Sequence, residues 1–160
     1  MKAAVLVPLY EDGDGRVRVI LTRRPDDMRT HAGDVVFPGG MVEDQDSGPV
    51  STAVREAEEE IGLSPGAVIE VIGGLAPVTT RSAEMIIVPV VARVDRPADL
   101  VLDPHEVAAV IEPEVEELLD EGRWVREDFA GRPLWFFEFP EGILWGATAF
   151  MMRDLLAYLR

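Results

Sequence analysis

Four glutamates fall within five positions in the run Arg55-Glu56-Ala57-Glu58-Glu59-Glu60-Ile61-Gly62-Leu63. On a helix, residues three and four apart share a face. Glu56, Glu59 and Glu60 then form one acidic ridge, Ala53, Ala57 and Ile61 turn another way, and Glu58 points to solvent. Like charges at this spacing destabilise a helix by about 0.2–0.5 kcal/mol per pair. Such a ridge is either a solvated face or a seat for a hard divalent cation, which wants several carboxylate oxygens at once. Two neighbours favour the cation: Arg55 directly before the ridge, and Phe37-Pro38-Gly39-Gly40 upstream, which reads as a glycine turn. Gly62 fits the left-handed position that closes a helix, and Ser47 or Ser51 is placed to cap its start.

Arg55 to Leu63 resembles the second half of the Nudix box, G-x5-E-x7-R-E-U-x-E-E-x-G-U, where U is bulky and aliphatic. Ala57 stands at the first of the later U positions. Strict spacing puts Met41 at the box glycine and Ser47 at its first glutamate. Gly40 and Asp46, one residue earlier, look like the displaced equivalents, so the loop carries one extra residue. A further resemblance narrows the branch. Leu21-Thr22-Arg23-Arg24, Met28-Arg29-Thr30-His31-Ala32-Gly33 and Phe37-Pro38-Gly39-Gly40 are similar to the additional motif of the coenzyme A pyrophosphatases. So is Leu144-Trp145-Gly146-Ala147-Thr148-Ala149 near the C-terminus. Pro25 replaces the usual serine, Asp34 the usual glutamine, and Ala83-Glu84-Met85 stands where Ser-Gly-Phe is common.

The resemblance implies an αβα sandwich with a mixed β-sheet between helices, and a Mg²⁺- or Mn²⁺-dependent hydrolase of nucleoside-diphosphate-linked compounds. Glu56 and Glu60, with Glu59 and the Gly40 carbonyl, are the implied metal ligands, and Arg55 is assigned to orienting the glutamates. Arg23, Arg24, Arg29 and His31, with Gly39 and Gly40, are the candidate substrate-binding residues; for the arginines, plain compensation of Asp26, Asp27 and Asp34 is the alternative. The general base comes from the helix or from a later loop, with Glu84 and Glu106 as candidates beside an ordinary surface role. Coenzyme A, cut to 4′-phosphopantetheine and adenosine 3′,5′-bisphosphate, is the first substrate expectation. ADP-ribose, a dinucleotide or a nucleoside triphosphate is the second, and a non-catalytic nucleotide-binding module the third.

Strands and helices alternate around these residues. Residues 2–8 and 17–22 read as strands flanking a polar hairpin turn at 11–15. Residues 35–37 read as a short strand, 51–61 as a helix, and 67–73 and 85–94 as strands around a polar loop at 79–84. A short helix is expected at 114–121, an aromatic strand at 134–139 and a last helix at 147–159, with Thr148, Met152, Leu155 and Leu159 on one stripe. Trp124, Trp135, Phe136 and Phe137 read as core, with stacking on a base as the alternative.

Composition bounds the rest. At 160 residues with 48% hydrophobic content the chain is expected to form one domain, residues 1–160, with a real core. No apolar run reaches the roughly 20 residues that span a bilayer, and no signal peptide is evident. With no cysteine there is neither disulfide nor thiolate metal site, and a cytoplasmic enzyme is expected. Acidic and basic residues balance over residues 1–40, so the remainder carries the whole net charge of −15. Nucleic acid, which needs a basic footprint, is disfavoured as a partner. A small nucleotide substrate and a two-fold dimer are the partners expected.

Overall fold

The computed structural model describes residues 1–80 and 84–160. Along the chain run β1 (Lys2–Glu11), β2 (Val17–Val19), β3 (Leu21–Arg23), β4 (Val35–Val36), β5 (Gly39–Met41) and α1 (Pro49–Ile61). Then come β6 (Val68–Gly74), β7 (Val78–Thr79), β8 (Ile86–Val94), β9 (Ala109–Ile111) and α2 (Val115–Leu118). The chain ends with β10 (Trp124–Phe129), β11 (Arg132–Phe139), β12 (Gly142–Trp145) and α3 (Gly146–Tyr158).

These build two mixed sheets. One runs β2-β1-β8-β6, with β5 also on β1 and β7 on β8; the other runs β10-β11-β12-β4-β3-β9. The pairs β1/β8 and β12/β4 are parallel, and the remaining named pairs are antiparallel. Alternation along β1 feeds two cores. Ala4, Leu6 and Tyr10 join Ala53, Ala57 and Ile61 of α1. Val7 joins Val91, Phe137, Leu144 and the α3 residues Met151, Met152 and Leu155 between the sheets. Helix α1 on the outer face of the first sheet, and α3 packed into the core that the two sheets share, make up the expected αβα sandwich with two mixed sheets at its centre.

Several local expectations shift. The strand expected over 17–22 breaks at Ile20, because the chain there leaves one sheet for the other: Val19 pairs with Leu9, whereas Leu21 pairs with Ile111. The strand expected over 35–37 stops at Val36, and the glycines after it form no turn. Gly39–Met41 is a strand, with Gly39 opposite Val5 and Gly40 opposite Ala4. Neither serine caps α1. Gly48 is its N-cap, without a side-chain bond, and Pro49 opens the helix. Gly62 does close it, at φ 70°. The helix expected over 114–121 is a single turn, Val115–Leu118, followed by a 3₁₀ turn. On α3, Thr148, Met152 and Leu155 are buried but Leu159 lies past the helix end and is exposed. Strands β9, β10 and β12 were not anticipated. They are short or exposed; β10 and β12 are hairpin partners of β11 on either side of it, while β9 pairs with β3 and β12 also with β4, far off in sequence.

Candidate active site

The ridge stands on α1, whose opposite side is pinned by Ala53, Ala57 and Ile61, each fully buried against β1 and β8. That packing fixes which way the glutamates face. Glu58 is exposed, as expected. Glu60 is buried, at 8% exposure, and Glu56 is half-buried. Glu59 is exposed.

β5 closes on these carboxylates from the side. The Gly39 N–H donates to Glu60 Oε1 at 2.7 Å. Gly40 lies so near Glu56 that a Cβ there would stand 2.5 Å from its carboxylate carbon and from Oε1. A Cβ on Gly39 would meet the Ala4 carbonyl at 2.5 Å. The Gly-Gly pair is therefore a demand for close approach rather than for a turn.

Arg55 is the brace. Its Nε and Nη2 each donate to Asp46, to Oδ1 and Oδ2, at 2.9 Å, a forked pair. Its Nη1 donates to Glu56 at 3.0 Å and reaches Glu59 at 3.3 Å, while Nη2 also donates to the Met41 carbonyl at 3.1 Å. The Asp46 side chain is only 1% exposed and also accepts from Thr52 Oγ1 at 2.8 Å and from Glu43 N–H at 2.9 Å. These bonds hold the Asp46 carboxyl far below its ordinary range, the Arg55 bond most of all. From sequence, Asp46 was only a displaced motif position. Its role as anchor of Arg55, and Glu43 beside it, needed the folded loop.

The electrostatics single out Glu60. Burial, aided by the charges of Glu56 and Glu106, pushes its carboxyl up to about 8, against the Gly39 N–H and Arg24. Burial likewise raises Glu56, opposed by its bond to Arg55. Glu60 makes no ion pair among the described residues. A half-dry pair of like charges with hard oxygen donors suits Mg²⁺ or Mn²⁺. Among the described residues no three acidic or imidazole groups are already gathered into a finished metal cage. Of the expected ligands, Glu56 and Glu60 face β5 at Gly40 and Gly39, and Glu59 stands outside with Arg55.

The other candidates separate. Arg24 is near enough to Glu60 to act on its charge, and donates to the Thr30 carbonyl at 3.3 Å. Arg23 turns elsewhere, to Asp26 at 2.6 Å. His31 is exposed, with Nδ1 3.1 Å from Asp34 Oδ2, and Arg29 is exposed. Of the two base candidates, Glu106 acts on Glu60 through its charge. Glu84 is exposed at the foot of β8, its carbonyl accepting from the Met1 amino group at 3.1 Å. Arg81, Ser82 and Ala83 of the expected polar loop lie outside the described residues. Trp124 and Phe137 are core, as read; Trp135 and Phe136 are only half-buried.

A NUDIX domain family model matches residues 1–133. The chain belongs to the Nudix family. Nudix hydrolase 22, chloroplastic, of Arabidopsis thaliana is 41% identical over 158 residues, covering 92% of this chain and 52% of the plant protein. The uncharacterized Nudix hydrolase NudL of Escherichia coli K12 is 36% identical, covering 96% of this chain and 80% of NudL. The chain thus spans about half the length of the plant relatives it matches. Among solved structures, a C. elegans Ap4A hydrolase binary complex superposes with a TM-score of 0.64 at 18% identity, covering 99% of this chain and 96% of that one. At that identity the likeness speaks for the Nudix fold alone. These relatives carry the name Nudix hydrolase, and no helix among the described residues of this chain is long and apolar enough to cross a membrane.

Proposed function

We propose that the chain is a divalent-metal-dependent pyrophosphohydrolase of nucleoside-diphosphate-linked substrates, with coenzyme A and its derivatives as the substrate class. The supporting observation is the Glu56–Glu60 pair, shut in by Gly39 and Gly40, with no cation in an ion pair with Glu60 among the described residues. In this reading Glu56, Glu60 and the Gly40 carbonyl hold Mg²⁺ or Mn²⁺, and Glu59 completes the set. The bound ion supplies charge neutralisation on the diphosphate and activation of water. The residues of the chain do the positioning. The Gly39 N–H fixes one Glu60 oxygen, Arg55 fixes Glu56, and Asp46 fixes Arg55. Arg24, beside the ridge, meets a phosphate. Glu106 is the stronger candidate for the base, since its charge already bears on Glu60. The chain works in this reading as a cytoplasmic enzyme, as a dimer, on a small nucleotide substrate.

The upstream motif supports coenzyme A through Arg23, Arg24, Arg29 and His31. Its departures at Pro25 and Asp34 favour a second reading, in which ADP-ribose, a dinucleotide or a nucleoside triphosphate is cut by the same machinery. Product analysis over coenzyme A, ADP-ribose, NADH and nucleoside triphosphates separates them. Release of 4′-phosphopantetheine and adenosine 3′,5′-bisphosphate at the highest kcat/KM is expected. Hydrolysis of none of the panel with Mg²⁺ or Mn²⁺ would overturn the assignment as an enzyme of this class.

A further inference from the structure

We propose that the recess between Arg23 and the Phe136–Trp145 pair seats the nucleobase of the substrate, with Trp145 as its stacking platform. This rests on the nucleoside-diphosphate reading above and names where one end of that substrate goes. The recess holds about 450 Å³, within the range of roughly 300–1,000 Å³ that small-molecule sites occupy. Its aromatic wall is a cross-strand pair, Phe136 of β11 opposite Trp145 of β12, with rings nearly parallel at 6° and centroids 5.9 Å apart. Both are half-buried, unlike Trp124 and Phe137 one face away, so ring surface is left for a third planar group.

Trp145 is held before any ligand arrives. Its indole N–H donates to Asp34 Oδ1 at 3.0 Å, and the other oxygen of Asp34 lies 3.1 Å from His31 Nδ1. His31 has φ 55°, a left-handed conformation that non-glycine residues adopt at a cost and that clusters at ligand sites. Asp34, the departure from the motif, thus ties the strained loop to the aromatic wall. The floor is bare backbone: a Cβ on Gly142 would lie 3.0 Å from the Gly33 carbonyl. At the margin stand a donor and an acceptor. Arg23, its side chain a quarter exposed, has one guanidinium nitrogen on Asp26 and others to offer, and the Glu141 carboxylate makes no ion pair among the described residues. A heteroaromatic base with ring-nitrogen acceptors and an exocyclic amino donor matches stacking face, donor and acceptor together. An aliphatic amide chain matches no stacking face. Consecutive residues connect the two sites, because Arg23 lines the recess and Arg24 bears on Glu60.

The test uses adenosine, which carries the base but no phosphate. Ligand-observed NMR titration without metal compares wild type, Trp145→Ala, Trp145→Phe, Ala32→Phe and Glu56→Gln. Adenosine is expected to bind wild type and Glu56→Gln alike, about tenfold or more weakly to Trp145→Ala, and nearly normally to Trp145→Phe. KM for the nucleotide substrate should rise in Trp145→Ala with kcat held within about twofold. Ala32 is an exposed recess residue, so Ala32→Phe should block adenosine without disturbing the core and decides the matter if Trp145→Ala does not fold. Adenosine binding unchanged in Trp145→Ala or in Ala32→Phe overturns the proposal, as does no adenosine binding by a wild type that hydrolyses nucleotides. Adenosine binding sensitive to Trp145, with no hydrolysis of any substrate, would instead sink the enzymatic reading and leave the subsite standing.

Discussion

Glu60 is a carboxylate held where a proton is preferred until a cation comes. Its folded-state value of about 8 stands above the ordinary 4.5, so between those limits the metal-free native state binds more protons than the unfolded chain. Stability then falls as pH rises through that window. The carboxyls pulled the other way, Asp12 to about 2 and Asp46 also down, change protonation below their ordinary 3.8 and stay out of the window, while Glu56, raised by burial, adds to the same decline. Melting of the metal-free protein is therefore expected to be highest near pH 5 and to decline toward pH 8. Glu60→Gln should flatten that decline and melt no lower than wild type at pH 8; an equally steep decline in the variant would remove Glu60 as its source. In activity the order reverses: Glu56→Gln and Glu60→Gln should each lower turnover by orders of magnitude at saturating Mg²⁺ with the fold intact, measured as kcat beside circular dichroism. Neighbouring glycines give a sharper contrast. Gly39→Ala drives a Cβ into the Ala4 carbonyl, a backbone clash expected to destabilise by about 1–3 kcal/mol. Gly40→Ala meets only the movable end of Glu56, so it should spare stability and reduce turnover. Denaturant melts of the two, beside their rates, show whether the costs divide this way.

Helix α1 shows what a sequence states and what it withholds. Its apolar face, its ridge and its Gly62 cap could all be read, because each depends on residues within one or two turns. The start could not, since the cap is made by the loop rather than by a serine: Asp46 reaches forward to Thr52 and Arg55 and fastens residues 42–48 to the first turns. Gly39 and Gly40 were read as a turn for the same reason. The clash that demands glycine comes from β1 and Glu56, far off in sequence. Likewise β10 and β12 gain their identity from β11 beside them, and Arg23 and Arg24, adjacent in one motif, part to different sites. A prediction belongs to this element. Gly48 has extended backbone at φ 165°, with nothing within 4 Å of an added Cβ, so Gly48→Ser adds the missing side-chain acceptor without strain. It should stabilise by a few tenths of a kcal/mol up to about 1, read from denaturant midpoints. A loss of stability would show that the loop needs glycine there for another reason.

Across the whole molecule the net charge of −15 makes compactness sensitive to ions of any kind, and this must be separated from metal at the site. Screening acts on dispersed charge through ionic strength, with a Debye length of about 10 Å at 0.1 M. Site binding acts through mass action on the native state alone and adds about 2.7 kcal/mol at a hundredfold excess over Kd. For a chain of this size each kcal/mol moves Tm by about 2–4 °C, so Mn²⁺ or Mg²⁺ at that excess should raise Tm by roughly 5–10 °C. NaCl at matched ionic strength raises it only by the screening increment. The decisive comparison is Glu56→Gln/Glu60→Gln. Its surface charge is almost that of wild type, so the response to NaCl should persist, while the additional response to the divalent ion should vanish with the two ligands. If the double variant keeps the full divalent shift, the ion is bound elsewhere on the acidic surface, and the ridge is a solvated helix face after all.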